Sequence, residues 1–195
     1  MSSPRGQLIP LRAEVAELSD EALVAACATG DRAAHGILFE RHVDAVHRFL
    51  GRMRHTDAGE VDDLVQASFV EAFRSAARFR GGNVRAWLFG IAVNVSRGYV
   101  RREIRRKRAI ESAAELGAPS SAPAPDPEHR QLIARLPIAL AALPHDLRAV
   151  FVLVDLEQQR GSDAAAALGI PEGTLWRRLH RARCALRAAL DGGSP

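Results

Sequence analysis

Apolar residues in the N-terminal part of the chain recur at helical rather than strand spacing. Ser19 is placed to cap a helix carrying Leu23, Val24 and Cys27, with Asp20 and Glu21 in its first turn and Gly30 as a stop. Asp31 is placed to cap the next, whose stripe Phe39, Val43, Val46, Leu50 keeps i, i+4, i+7, i+11 order. A third helix from about Glu60 to Arg78 buries Val61, Leu64, Val65, Phe69 and Ala72. Phe79-Arg80-Gly81-Gly82-Asn83 breaks it. A long fourth helix then starts near Val84 and runs to about Arg108 on the stripe Leu88, Ile91, Ala92, Val95, Tyr99.

Further on, Leu132–Leu143 reads as one apolar helix with Pro137 as a kink or boundary. His145–Leu156 is another, opened by Pro144. Ser162–Leu168 is short and stopped by Gly169, and Pro171 opens a last helix to about Leu190. No segment alternates with period two, so the fold class is all-α. Four of the ten prolines fall in Glu111–Arg130 amid Ala, Ser and Gly, which reads as an extended linker. Eight of the ten aromatics precede it, so the halves are expected to have separate cores. The organisation is an N-terminal tail (1–18), a helical domain (19–110), the linker (111–130) and a second helical domain (131–191).

Composition sharpens this outline. A hydrophobic content of 47% over 195 residues is that of a globular protein. No stretch reaches the ~20 apolar residues of a membrane span, and the first ten residues lack a signal-peptide core, so a cytoplasmic protein is expected. Cys27 and Cys184 stand far apart and outside any C-x-x-C, which argues against a disulfide framework or zinc cluster.

Charge is segregated. The formal net charge is only +4, yet residues 74–108 carry eleven basic side chains and one acid, and residues 171–187 five Arg and one Glu. Two cationic surfaces suit a polyanion, and an acidic remainder suits a different partner. The predominance of Arg over Lys is also what a GC-rich genome produces; its clustering is not.

The fourth helix holds the clearest chemistry. Asn94, Arg97, Arg101, Arg105 and Arg108 fall on one face, roughly opposite the apolar stripe. Arg donors on such a ridge pair with phosphate oxygens and displace counterions. A solvated face gives a charge run too, but ordinary exposed helices mix both signs. Phe79, Arg80, Asn83 and Trp87 stand at the start of the ridge. There, Gly lets backbone approach a ligand, Asn can read a base edge and aromatics can stack on unpaired bases. A turn beside two core aromatics is the competing reading.

Ser162–Arg187 has the spacing of a helix-turn-helix. Ala165 is small at the crossing, Gly169 makes the turn, and Leu175, Leu179, Ala182 and Leu186 point inward. Trp176, Arg177, His180, Arg183 and Arg187 point outward, as suits a major groove; an ordinary helical hairpin is the alternative. Asp57, Glu60, Asp62, Asp63 and Glu71 form a stretch free of basic residues from Thr56 to Phe73. It serves either helix solubility or a basic protein partner. Phosphate-loop, dinucleotide, zinc-protease and nucleophile-elbow motifs are missing, and His42 and His47 are poorly spaced for a metal. No catalytic residue, cofactor or metal is therefore expected.

Taken together, Asp62-Asp63-Leu64-Val65-Gln66-Ala67-Ser68-Phe69, Ala86-Trp87-Leu88-Phe89-Gly90-Ile91-Ala92-Val93-Asn94 and Gly173-Thr174-Leu175-Trp176-Arg177-Arg178-Leu179-His180-Arg181-Ala182-Arg183 resemble bacterial RNA polymerase sigma factors of the extracytoplasmic-function (ECF) class. The resemblance covers about Asp20–Arg108 (region 2) and Leu132–Leu190 (region 4). It implies that Asp62, Asp63, Leu64, Gln66 and Phe69 dock on core polymerase. It further implies that Phe79, Arg80, Asn83, Trp87, Asn94, Arg97 and Arg101 melt and read a minus-ten element around a flipped base. Thr174, Trp176, Arg177, His180, Arg181 and Arg183 would read a minus-thirty-five element, and an anti-sigma factor would restrain the whole. The competing reading is a helix-turn-helix regulator with an N-terminal sensor or dimerisation domain. A nucleic-acid-processing enzyme lacks a recognisable site.

The chain departs from the pattern in three places. Gly161 and Asp163-Ala164 stand where the family usually has an aromatic and a Glu-Ile pair, which is expected to thin the packing there. Gly98 replaces an acid in the long helix, at ~1 kcal/mol relative to Ala, and is expected to let it bend. Trp176 and Arg177 replace small polar or Lys residues, so the promoter sequence does not follow from the motif.

Overall fold

The computed structural model describes residues 15–53, 58–113 and 129–191, with side chains for all of these except 58, 104, 107–113 and 129–134. Most of the expected tail, linker residues 114–128 and the Arg108 side chain lie outside the described residues. Among the described residues there is helix and no strand.

Four helices make the N-terminal half: α1 (Asp20–Ala28), α2 (Arg32–Met53), α3 (Ala58–Ser75) and α4 (Val84–Ala113). Their ends follow the capping chemistry. The Ser19 hydroxyl accepts from Ala22 N–H at 3.2 Å, and Asp31 Oδ1 from Ala33 N–H at 2.8 Å and Ala34 N–H at 3.2 Å. Gly30 stands at φ +85° between α1 and α2. The five residues expected inward on α3 are all buried. On α2 the expected stripe is rotated. Val46 and Leu50 are buried, but Val43 is half-buried and Phe39 is 36% exposed, while Leu38, Ala45, Phe49 and Met53 line the core. The reason is that α2 is packed on by α1, α3 and α4 and so buries more than one face. Phe49 and Phe89 stack at its centre, 4.5 Å between centroids. His42, buried on the same helix, lies 2.8 Å from Asp20 Oδ2; burial lowers its pKa despite the carboxylate.

The C-terminal half comprises α5 (His129–Ala142), α6 (His145–Phe151), α7 (Gly161–Leu168) and α8 (Glu172–Asp191). Pro137 lies inside α5, which continues past it. Pro144 opens α6 as expected, but its continuation, Val152–Leu156, is wound as a π-helix with Glu157 N–H bonded to Val152 O at 2.8 Å. Gln158 follows at φ +53°. Gly169, at φ +63°, makes the turn from α7 to α8.

The expectation of two separate cores is overturned. Phe49, Phe89 and Val93 belong to one buried cluster with Val150, Leu153, Ala164 and Leu175. Only Ala139, Leu140, Leu143, Leu147, Ala182 and Leu186 form a smaller cluster under α5 and α8. The same contact explains α4. Besides Leu88 and Ala92 it buries Phe89, Val93 and Ser96, whereas Ile91, Val95 and Tyr99 are half-buried. Two flanks of α4 are covered, one by its own half and one by α7. The helix runs through Gly98 as a single element.

Candidate nucleic-acid interface

A 3₁₀ turn over Ala76–Arg78 ends α3 and throws the chain into the loop that α4 follows. Gly81 and Gly82 stand at φ +85° and +99°, a pair of left-handed residues that side chains would strain. Gly82 N–H donates to Glu21 Oε1 at 2.7 Å, tying the loop to α1. Phe79 and Trp87 are both half-buried with rings 5.1 Å apart, and Arg80 is exposed beside them. A cleft of about 290 Å³ opens between this loop and α7, lined by Phe79, Arg80, Asn83, Trp87, Asp163 and Ala167. Asn83 Oδ1 caps α4 by accepting from Ala86 N–H at 3.0 Å, while its amide donates to Gln159 Oε1 at 3.1 Å and Asp163 Oδ2 at 3.3 Å.

Along α4 the ridge is present. Asn94 and Arg101 are exposed, and Arg105 is exposed with its Nε donating to Arg101 O at 3.3 Å. Arg97 is the exception. It donates to Asn94 Oδ1 at 3.1 Å and to Asp146 Oδ1, on α6, at 2.8 Å. Arg178 of α8 approaches the other Asp146 oxygen at 3.5 Å. Burial raises the Asp146 pKa, but the hydrogen bond and charge of Arg97 and the charge of Arg178 outweigh it and hold the carboxyl below its usual range. Beside it, Ser96 Oγ lies 2.9 Å from His145 Nε2, and burial with nearby Arg97 presses this imidazole down to about 4.

The outer face of α8 bears Trp176, Arg177, His180 and Arg181, all exposed, with Thr174 half-buried at its start. Arg177 donates to Thr174 Oγ1 at 3.1 Å. Arg183, expected on that face, is held in a two-pronged pair with Asp155 at 2.6 and 2.9 Å.

This arrangement has close relatives. Residues 38–106 match the Sigma-70 region 2 family and residues 131–186 the Sigma-70 region 4 family. The chain is 35% identical to the ECF RNA polymerase sigma factor SigE of Mycolicibacterium smegmatis over 82% of its length, and spans 64% of that longer protein. It is 31% identical to the ECF RNA polymerase sigma-E factor of Escherichia coli, covering 87% of this chain and 93% of that one. The chain belongs to the ECF RNA polymerase sigma factors. Two solved structures agree. CnrH, in complex with the cytosolic domain of CnrY, superposes with a TM-score of 0.65 at 31% identity, covering 90% of this chain and 99% of that one. The sigma factor RpoE of Bartonella quintana, in complex with the anti-sigma factor NepR, gives 0.59 at 25% identity, covering 80% and 96%. Promoter recognition on behalf of RNA polymerase, without catalysis of its own, is the work of this family.

The acidic stretch of this sigma factor divides between surface and core. Asp62, Asp63 and Gln66 are exposed on α3, Asp62 lying 3.3 Å from His47. Leu64 and Phe69, expected to dock on polymerase with them, are each 2% exposed. They lie on the inward side of α3, beneath Asp62, Asp63 and Gln66. Phe39 of α2 and Val70 of α3 are large apolar side chains left exposed, at 36% and 47%. Helical spacing could not reveal them, because it assigned Phe39 to the core.

The expected thinning at Gly161 is also corrected. A Cβ there would lie 2.4 Å from Cζ2 of Trp176. The indole sits over the bare backbone, its Nε1 donating to Glu172 at 3.2 Å, and Ala164 beside it is fully buried. The aromatic missing at one position of this sigma factor is supplied from the reading helix. Among the described residues no group of three or more His, Cys, Asp or Glu is placed to hold a metal, and no helix is long and apolar enough to cross a membrane.

Proposed function

We propose that the sigma factor uses three separate surfaces, one for each partner. The exposed Asp62, Asp63 and Gln66, with Phe39 and Val70, form the face for core polymerase. The Phe79–Asn83 loop, Trp87, Asn94, Arg97 and Arg101 engage the minus-ten element, with the cleft beside Phe79 and Trp87 available to a displaced base. Thr174, Trp176, Arg177, His180, Arg181 and Arg183 read the minus-thirty-five element, Arg183 from a half-exposed pair with Asp155. The observation that carries this reading is the run of exposed arginines on α4 and α8 on helices whose opposite faces are buried. The protein acts in the cytoplasm, where polymerase and chromosome are, and an anti-sigma factor is a further expected partner, as for RpoE of B. quintana.

Transcription from genomic templates by purified protein plus core polymerase tests the reading. Promoter-specific starts absent with core alone are expected; none would overturn it. Asp62→Arg with Asp63→Arg is expected to weaken binding to core polymerase while leaving the fold intact by circular dichroism.

A further inference from the structure

Most of what a major groove offers a protein is hydrogen-bond donors and acceptors; its one apolar feature is the 5-methyl group of thymine. The first turns of α8 carry a side chain with no polarity left to offer. Trp176 has a single donor, Nε1–H, and donates it to Glu172 Oε1 at 3.2 Å. The indole is also seated. A Cβ on Gly161, where α7 begins, would lie 2.4 Å from Cζ2, 3.0 Å from Cη2 and 3.1 Å from Cε2. Bare backbone thus packs against the six-membered ring, while the five-membered ring is tied down through its N–H. What remains, 46% exposed, is a fixed apolar plate on a helix whose Leu175 and Leu179 are buried. The neighbouring Arg177 is braced too, donating to Gly173 O at 3.3 Å and to Thr174 Oγ1 at 3.1 Å. Glu172 is an acid on an exposed face that bears Arg177 and Arg181, a poor companion for phosphates. Holding the indole accounts for it.

We propose that Trp176 reads the 5-methyl group of one thymine in the minus-thirty-five element, with Gly161 and Glu172 as its positioning residues. This rests on the assignment of the outer face of α8 to that element. A ring held in place before DNA arrives gives up little rotamer freedom on contact, so even a single methyl group registers. Glu172 and Gly161 touch no base in this scheme. They act by fixing where the plate stands, and Arg177 beside it keeps donors for a neighbouring base edge or phosphate. Stacking on an unpaired base is the other use of an exposed indole, and it is blind to a methyl group.

The test uses the full chain with core polymerase and duplex fragments of a promoter located from its transcript starts. Each thymine of the minus-thirty-five element, on either strand, is replaced singly by deoxyuridine, which removes only the methyl group. Competition binding then gives a thymine-to-uracil affinity ratio at each position. At one position the ratio is expected to reach about four, the effect of burying one methyl-sized group, and to fall to one in Trp176→Ala. Glu172→Ala should lower it with the indole still present, and Glu172→Gln, whose amide oxygen still accepts, should restore it. Each ratio compares two DNAs on one protein, so a loss of folded fraction cancels. An element without an A·T pair, ratios near one throughout, or a ratio that survives Trp176→Ala would each overturn the methyl reading and leave the three surfaces in place. A ratio untouched by Glu172→Ala would remove Glu172 from the positioning role. Absence of promoter-specific starts takes down the three-surface reading and this one with it.

Discussion

The two halves solve the problem of burial differently. The N-terminal half is centred on large side chains, with Phe49 stacked on Phe89 and Leu23, Leu38, Leu50 and Met53 all at 1% exposure or less. The C-terminal half has one Phe and one Trp, and α7 buries only Ala164 and Ala165. It compensates with small residues that allow close approach, with ion pairs such as Arg183–Asp155, and with apolar surface hidden against α4. A half with its own core can present a site; a half that borrows a core has its position tied to its neighbour.

The largest test of this contrast is Phe49→Ala. It empties the middle of the self-sufficient half and is expected to lower stability by ~3–5 kcal/mol in urea unfolding. With one Trp in each half, the two Trp can be followed separately after single Trp→Phe replacements. A loss below ~1 kcal/mol would show that the aromatic stack is not the keystone. The next test is Gly161→Ala, expected to displace Trp176 and destabilise the C-terminal half by about 1–2 kcal/mol. Adding Trp176→Ala should recover most of that, a coupling that a double-mutant cycle measures.

Acidification separates the halves from another direction. His145 is held neutral at the junction, its pKa about 4 against 6.5 when exposed, because burial and Arg97, with Arg148 farther down, outweigh the pull of Asp146. The exposed imidazole thus binds a proton more readily than the packed one. The contribution of His145 is complete above pH 6.5 and is lost as pH falls from there toward 4. Thermal midpoints are expected to decline over that window in wild type and more weakly in His145→Gln; parallel declines would exonerate this residue. Smallest in energy is Arg183→Ala, whose pair with Asp155 is half-exposed and worth up to ~1 kcal/mol. Arg101→Ala should leave stability alone and reduce the salt slope of promoter binding by about one phosphate contact, and an unchanged slope would place Arg101 away from DNA.

Local chemistry was legible in the sequence. Ser19, Asp31 and Gly169 cap or turn as their side chains dictate, and the inward face of α3 follows from helical spacing alone. What spacing cannot express is a helix covered on two flanks, which is why Phe89, Val93 and Ser96 were missed on α4 and Phe39 was misplaced on α2. The contacts of Asp146 and Glu157 were equally invisible, because a pairing across the linker leaves no period in the chain. Trp176 was legible as exposed, but its seat on Gly161 needed the crossing of α7 and α8. The site residues that prove buried, Leu64 and Phe69, came with a motif that mixes surface and support.

The π-wound segment Val152–Leu156 gives the position of Glu157 an unusual dependence. Each residue of an α-helix turns the chain by about 100°, and a π-wound turn spends one residue more on the same turn. Deleting one residue between 152 and 156 would let the segment relax to an α-helix with the Glu157 carboxylate still facing its partners Arg52 and Arg85, whereas rewinding all five residues as an α-helix would swing it away without altering any of the three side chains. The grip between the halves is therefore recorded partly as a count of residues.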